Sequence, residues 1–156
     1  MPAITVRQYN SESGALLGNL STINFGRITA GTRSSVVVID IAFTEATNIG
    51  NLKLGVISSG GLTVNSNPTD IAPDGSAGNG HFGIETTSSF DSSKASGPLS
   101  RYFAGLNASV TAGDSNNVSI PTRSDALSNY IYLSIEVDSA TMGASQGAYK
   151  IFFDYS

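Results

Sequence analysis

Tyr130-Ile131-Tyr132-Leu133-Ser134-Ile135-Glu136-Val137-Asp138 decides the fold class. Ile131, Leu133, Ile135 and Val137 fall on one side at the strand period of two, and Ser134, Glu136 and Asp138 on the other. The same alternation recurs along the chain. Residues 3–9 carry Ile4 and Val6 on one face, and residues 21–28 read as a second strand with Ile23 and Phe25 together. Residues 33–43 hold the best β-branched run, Val36-Val37-Val38-Ile39. From Val37 onward, Val37, Ile39, Ile41 and Phe43 point one way and Val38, Asp40 and Ala42 the other. Leu52, Leu54 and Val56 alternate with Lys53, Gly55 and Ile57, and residues 62–64 could continue that strand. Residues 148–155 group Tyr149, Ile151, Phe153 and Tyr155, leaving Phe152 on the opposite face beside Lys150 and Asp154. No window of eleven residues has helical apolar spacing with a cap and a stop, so one turn near residues 124–128 is the most helix expected.

Seven to nine strands, each with one wettable face, predict an all-β chain: an antiparallel two-sheet β-sandwich, immunoglobulin-like or jelly-roll-like. The expectation is one domain over residues 1–156, with a long irregular region at about 65–117. A structureless loop of that length is improbable in a compact domain, so at least one hairpin should lie inside it. His81-Phe82-Gly83-Ile84-Glu85 and Arg101-Tyr102-Phe103-Ala104-Gly105-Leu106 are its candidate short strands or aromatic anchors. Loops of this kind commonly carry binding, which makes His81, Phe82, Tyr102 and Phe103 candidate contact residues. Phe152 joins them as an aromatic on a nominally wet face.

The 156 residues suffice for a core without staples, and the absence of Cys excludes disulfides. Charged residues are 13% of the chain, against about 25% in an average soluble domain. The net charge is −4, and none of the 8 Lys and Arg is adjacent to another, so the clustered cations of a nucleic-acid surface are missing. Polarity comes from Ser, Thr, Asn and Gly instead. Such a surface suits either an ordinary solvated sandwich or one covered by neighbours, where charges would cost desolvation. No signal-like or membrane-length apolar stretch is present, which gives the expectation of synthesis in the cytoplasm with no membrane partner.

Catalytic readings find little support. A nucleophilic triad needs Ser or Cys beside a carboxylate-oriented His; His81 is the single histidine, and Gly75-Ser76-Ala77-Gly78 lacks the nucleophile-elbow spacing. Four Glu and eight Asp are scattered, with no Trp to line a sugar cleft. Residues 65–75 are rich in oxygen ligands but lack the spacing of a calcium loop, and their Asn-Pro and Asp-Gly pairs read as turns. Three Asn-x-Ser sequons, at Asn19, Asn107 and Asn117, are expected by chance in this composition. No enzyme activity, cofactor or metal is expected.

Asn24-Phe25-Gly26-Arg27-Ile28-Thr29-Ala30-Gly31 resembles the Phe-Gly-x-Val/Ile-x-x-Gly opening of some immunoglobulin-like sandwich domains. Gly50-Asn51-Leu52-Lys53-Leu54 is similar to the continuation of that pattern, and the two matches lie within residues 24–54, about a fifth of the chain. In style, a short Cys-free β-domain rich in Ser, Gly, Thr and Asn resembles structural proteins of tailed-bacteriophage virions, capsid decoration proteins and tail components above all. The resemblance implies a virion protein that contacts other copies of itself and a capsid or tail protein. The alternative is a phage fibre, baseplate or bacterial surface module that recognises a glycan, with Tyr102, Phe103 and His81 as its platform.

Overall fold

A computed structural model describes residues 3–29, 31–45, 48–60, 80–103, 111–137 and 145–155. The elements in chain order are β1 (Ala3–Tyr9), β2 (Leu16–Asn19), β3 (Val37–Thr44), β4 (Ile49–Gly60), β5 (Gly80–Thr87), α1 (Ser92–Ser96), β6 (Val118–Ser119), β7 (Thr122–Ser124), β8 (Leu127–Ser128), β9 (Tyr130–Val137) and β10 (Ser145–Tyr155). They form two antiparallel sheets, so the chain is an all-β sandwich. The larger sheet runs β2-β1-β3 and then divides: β9 and β5 continue from the first half of β3, β8 and β7 from its second half. The smaller sheet is β10-β4-β6.

The alternation read from the sequence builds the core between the sheets. Ile39, Ile41 and Phe43 of β3, Ile131, Leu133 and Ile135 of β9, and Phe82 and Ile84 of β5 face Leu52, Leu54 and Val56 of β4. Tyr149, Ile151 and Phe153 of β10 close the same cluster from the edge. Apolar side chains at every second position can be dried only by a facing layer, and burial of each is worth about 1.5–3 kcal/mol.

The opposite face of the larger sheet was expected to be wet, and it is not. Val38, Asp40, Tyr132 and Ser134 are all fully buried there. The cover comes from residues 88–100, which include α1. Ala95 and Leu99 join Tyr9, Val36, Val38 and Tyr132 in a second apolar cluster, with Phe90 and Tyr130 against it. Two side chains hold the cover down. The Tyr132 hydroxyl accepts from the Asp91 N–H at 2.8 Å. The Glu85 carboxylate binds Lys94 at 2.5 Å and the Ser100 N–H at 2.7 Å. Gly83 lets the cover approach: a Cβ there would lie 2.7 Å from Ser134 Oγ and 3.2 Å from the Leu99 side chain.

One charged cluster lies under this face. Asp40 has no exposed surface and takes both nitrogens of a forked Arg7, Nε at 2.9 Å and a terminal one at 2.6 Å. Tyr9 donates to it at 2.8 Å and Arg123 of β7 at 2.6 Å. Burial by itself would push the Asp40 carboxyl up, but the hydrogen bonds from Arg7, Arg123 and Tyr9 outweigh it and hold the group below the ordinary carboxylate range.

Other expectations need correction. Residues 21–28 are not a strand. Ile23, Phe25 and Ile28 pack on the core as an irregular run, and the second strand is instead Leu16–Asn19. Residues 124–128 form the β7–β8 turn, whereas the helix is Ser92–Ser96, capped by Asp91. The described strands number ten because β6, β7 and β8 are fragments of two or three residues. A pairing does lie within the irregular region: Gly83 bridges Tyr102, with α1 in the connection. Residues 62–64, 65–75 and 104–106 lie outside the described residues.

Asp40→Asn should lower unfolding free energy by about 3 kcal/mol in urea denaturation, because two guanidinium groups lose their charge partner. The sign of the pH effect follows from the depressed carboxyl. Its stabilisation is complete above the unfolded value of about 3.9 and disappears as pH falls through the lower folded value. The variant should therefore lose less stability than wild type on acidification below about pH 4. Gly83→Ala should cost about 1–3 kcal/mol by crowding the Ser134 hydroxyl and the Leu99 side chain of the cover; an unchanged urea midpoint would refute that packing.

Candidate functional site

Of the five candidate contact residues, four sit at one end of the larger sheet. His81, Phe82 and Phe103 are buried, at 4%, 6% and 1% exposure, and Tyr102 is half-buried. Phe82 and Phe103 point into the core, where both rings meet Tyr149. His81 lies across the ladder from Glu136 and meets Tyr102 edge to face at 5.7 Å. The Tyr102 hydroxyl donates to Glu136 Oε1 at 3.0 Å. These residues hold strand ends together inside the domain. A sugar platform needs exposed ring faces, and the three buried rings offer none.

Histidine, phenol and carboxylate do converge here, but the phenol is not activated. Burial first, then the bond to Glu136, pushes Tyr102 up to about 12. A nucleophile needs the opposite shift. Among the described residues no three His, Cys, Asp or Glu gather in a way that could hold a metal ion.

Phe152 has a different setting, and the sheet edges explain why it matters. An open strand edge presents unpaired N–H and C=O groups, which proteins usually blunt. Four of the five outer strands of the two sheets are blunted, β7 by its length of three residues. β2 has four residues, with a register shift against β1 that leaves Leu17 as the extra residue. β5 is covered by residues 101–103, since Ile84 N–H reaches Arg101 O and Phe103 N–H reaches Phe82 O, both at 2.9 Å. β6 has two residues. The fifth, β10, runs for eleven residues and, among the described residues, pairs with β4 alone.

The geometry of β4 keeps that edge straight. Phe152 is opposite Lys53 and Asp154 opposite Gly50, so two β4 residues, Asn51 and Leu52, oppose the single Phe153. The bulge is therefore on β4, and Asn51 accommodates it with a left-handed φ of 50°. Asn51 then donates to Asp154 at 2.6 Å across the pair. β10 itself stays regular, and Lys150 is its one cationic guard.

Lys150, Phe152 and Asp154 share the outer face of the smaller sheet, and Tyr155 at the strand end is 55% exposed. Lys53, Phe152 and Ala112 line a shallow depression of about 530 Å³ beside them, open to solvent. Lys53 is tied off by the Ala112 carbonyl at 3.2 Å. The result is an extended hydrogen-bonding edge with an aromatic at its centre and one charge of each sign around it. Such an arrangement suits strand addition by another polypeptide. The sequence pointed to Phe152 but not to the edge. The pattern Lys150-x-Phe152-x-Asp154 was the available signal, and it needs the strand order to acquire meaning.

No protein-family model, curated protein or solved structure matches the chain. No helix among the described residues is long and apolar enough to cross a membrane.

Phenolate difference spectroscopy checks the Tyr102 environment. Wild type should show a tyrosine ionising near pH 12 that Tyr102→Phe removes. Because the folded value is raised, its stabilisation is complete below the ordinary tyrosine value of about 10 and is lost as pH rises toward 12.

Proposed function

We propose that this chain is a non-enzymatic structural subunit that acts by docking to other protein chains, and that its setting is a phage virion, most directly as a capsid decoration or cement subunit. The observation that carries the assembly reading is the eleven-residue β10 edge, unpaired among the described residues, where the other outer strands are blunted. The low charged fraction supports it, because surface covered by neighbours cannot hold many unpaired charges cheaply. The virion setting rests on the resemblance in composition and style. A tail or fibre location has the same edge to offer, but the buried His81 and Phe103 weaken a glycan platform at those residues.

The test is addition of purified protein to expanded capsids lacking it, followed by sedimentation. Wild type should bind at a fixed copy number per particle and raise resistance to heat or shear. Phe152→Asp faces outward, so its thermal midpoint should change little, within about 1 kcal/mol of stability. It should nevertheless lose at least about tenfold in particle affinity, equivalent to about 1.4 kcal/mol. Wild type that binds neither capsids nor tails would end the virion reading. A variant that binds as well as wild type would end the role of β10.

A further inference from the structure

We infer that β10 pairs with β10 of a second copy, antiparallel across a two-fold axis at Phe152, joining two three-stranded sheets into one of six strands. The inference deepens the assembly reading and rests on it. It commits to one occupant of the edge because the sequence of β10 is charge-complementary to itself in one register.

An antiparallel pair about an axis normal to the sheet sets residue i opposite residue 304 − i when Phe152 lies on the axis. Lys150 of each copy then faces Asp154 of the other, and the two Phe152 rings meet between the two ion pairs. On the inner face Ile151 meets Phe153, and Tyr149 meets Tyr155, so apolar groups meet apolar groups. Directly opposed side chains on one face have Cβ atoms about 4.5–5.5 Å apart, close enough for all of these contacts. Neighbouring registers lose this match. An axis at Lys150 opposes the two ammonium groups, and an axis at Ile151 sets Lys150 against Phe152.

Among the described residues nothing competes for the pairing. Lys150 and Asp154 are four residues apart on a strand, about 13 Å, too far to reach each other. Lys150 makes no ion pair among the described residues, and Asp154 holds only the neutral amide of Asn51. Tyr155, exposed in one copy, gains a partner in the other. The bulge on β4 leaves the β10 edge straight enough for a continuous ladder.

A charge-reversal cycle on the full chain, read by sedimentation equilibrium, tests this. Wild type should dimerise, more weakly at high salt. Lys150→Asp and Asp154→Lys should each weaken the dimer at least about tenfold, since each turns two attractions into two repulsions. The double reversal should return to within about threefold of wild type. Phe152→Lys, which sets two ammonium groups on the axis, should give a folded monomer by circular dichroism and serves if a reversal fails to fold. Wild type that stays monomeric, or reversals without effect, or a double reversal that is no better than the singles, would overturn the inference. If a monomeric wild type still decorates particles, the self-pairing fails while the assembly reading stands. If the cycle holds but no particle binds, the reverse is true.

Discussion

The buried Asp40 carboxylate is the constraint on which the larger sheet depends. It sits at the middle of β3 with no exposed surface, and its charge is met by Arg7 of β1 and Arg123 of β7, with Tyr9 completing the shell. A buried ion pair of this kind adds little net stability over an apolar replacement; what it adds is specificity. β1 and β3 pair with Arg7 opposite Asp40. A slip of two residues would preserve the inward and outward faces yet set Asp40 against Thr5 or Tyr9, leaving the carboxylate without its fork. The hydrophobic pattern excludes odd slips, and the ion pair excludes even ones.

That cluster also explains how β3 can serve two neighbours on one side. Arg123 reaches Asp40 from β7, donates to the Ser128 carbonyl, and lays its guanidinium over Tyr130 at 4.3 Å. The ladder between β3 and β8–β9 is interrupted at Asn129, where the Ser128 hydroxyl accepts from Ile41 N–H at 2.8 Å. The side chain replaces a backbone acceptor at the break. The buried polar groups of this cluster, the Asp40 carboxylate and the Ser128 hydroxyl, are thus satisfied. The cover of residues 88–100 completes the drying, and Tyr132 and Glu85 fasten it.

How much of this the sequence displays depends on the interaction concerned. Strands buried against the second sheet were legible: Ile131, Leu133 and Ile135, or Ile39, Ile41 and Phe43, can be placed by period alone. Ile23 and Phe25 misled because apolar spacing reports burial and not hydrogen bonding; they reach the core without joining a ladder. The helix escaped because its five residues bury only Ala95, too little for any periodic signal. Val38 and Asp40 read as a wet face because the cover comes from a distant, irregular stretch. Among contact candidates, Phe152 was identifiable as an aromatic on the wrong face. His81, Phe82, Tyr102 and Phe103 were singled out as aromatics in a loop, and long-range pairing of β5 with β9 turned that loop into sheet interior.

The uneven treatment of the edges is the feature that packing within one copy does not explain. A chain that bulges β2, covers β5 and truncates β6 has the means to protect a strand, yet leaves β10 straight and long by placing the bulge on β4. An exposed straight edge invites repeated pairing, and low surface charge does little to oppose it. Heterologous pairing at such an edge would leave a new edge open and propagate into a filament, whereas a two-fold pairing covers residues 149–155 of both edges at once and closes. Self-complementary charges about Phe152 favour the closed solution, because only there do Lys150 and Asp154 each find a partner. On this reading the sparse charge of the chain and the long edge left unguarded among the described residues have the same origin: the edge is protected by the second copy.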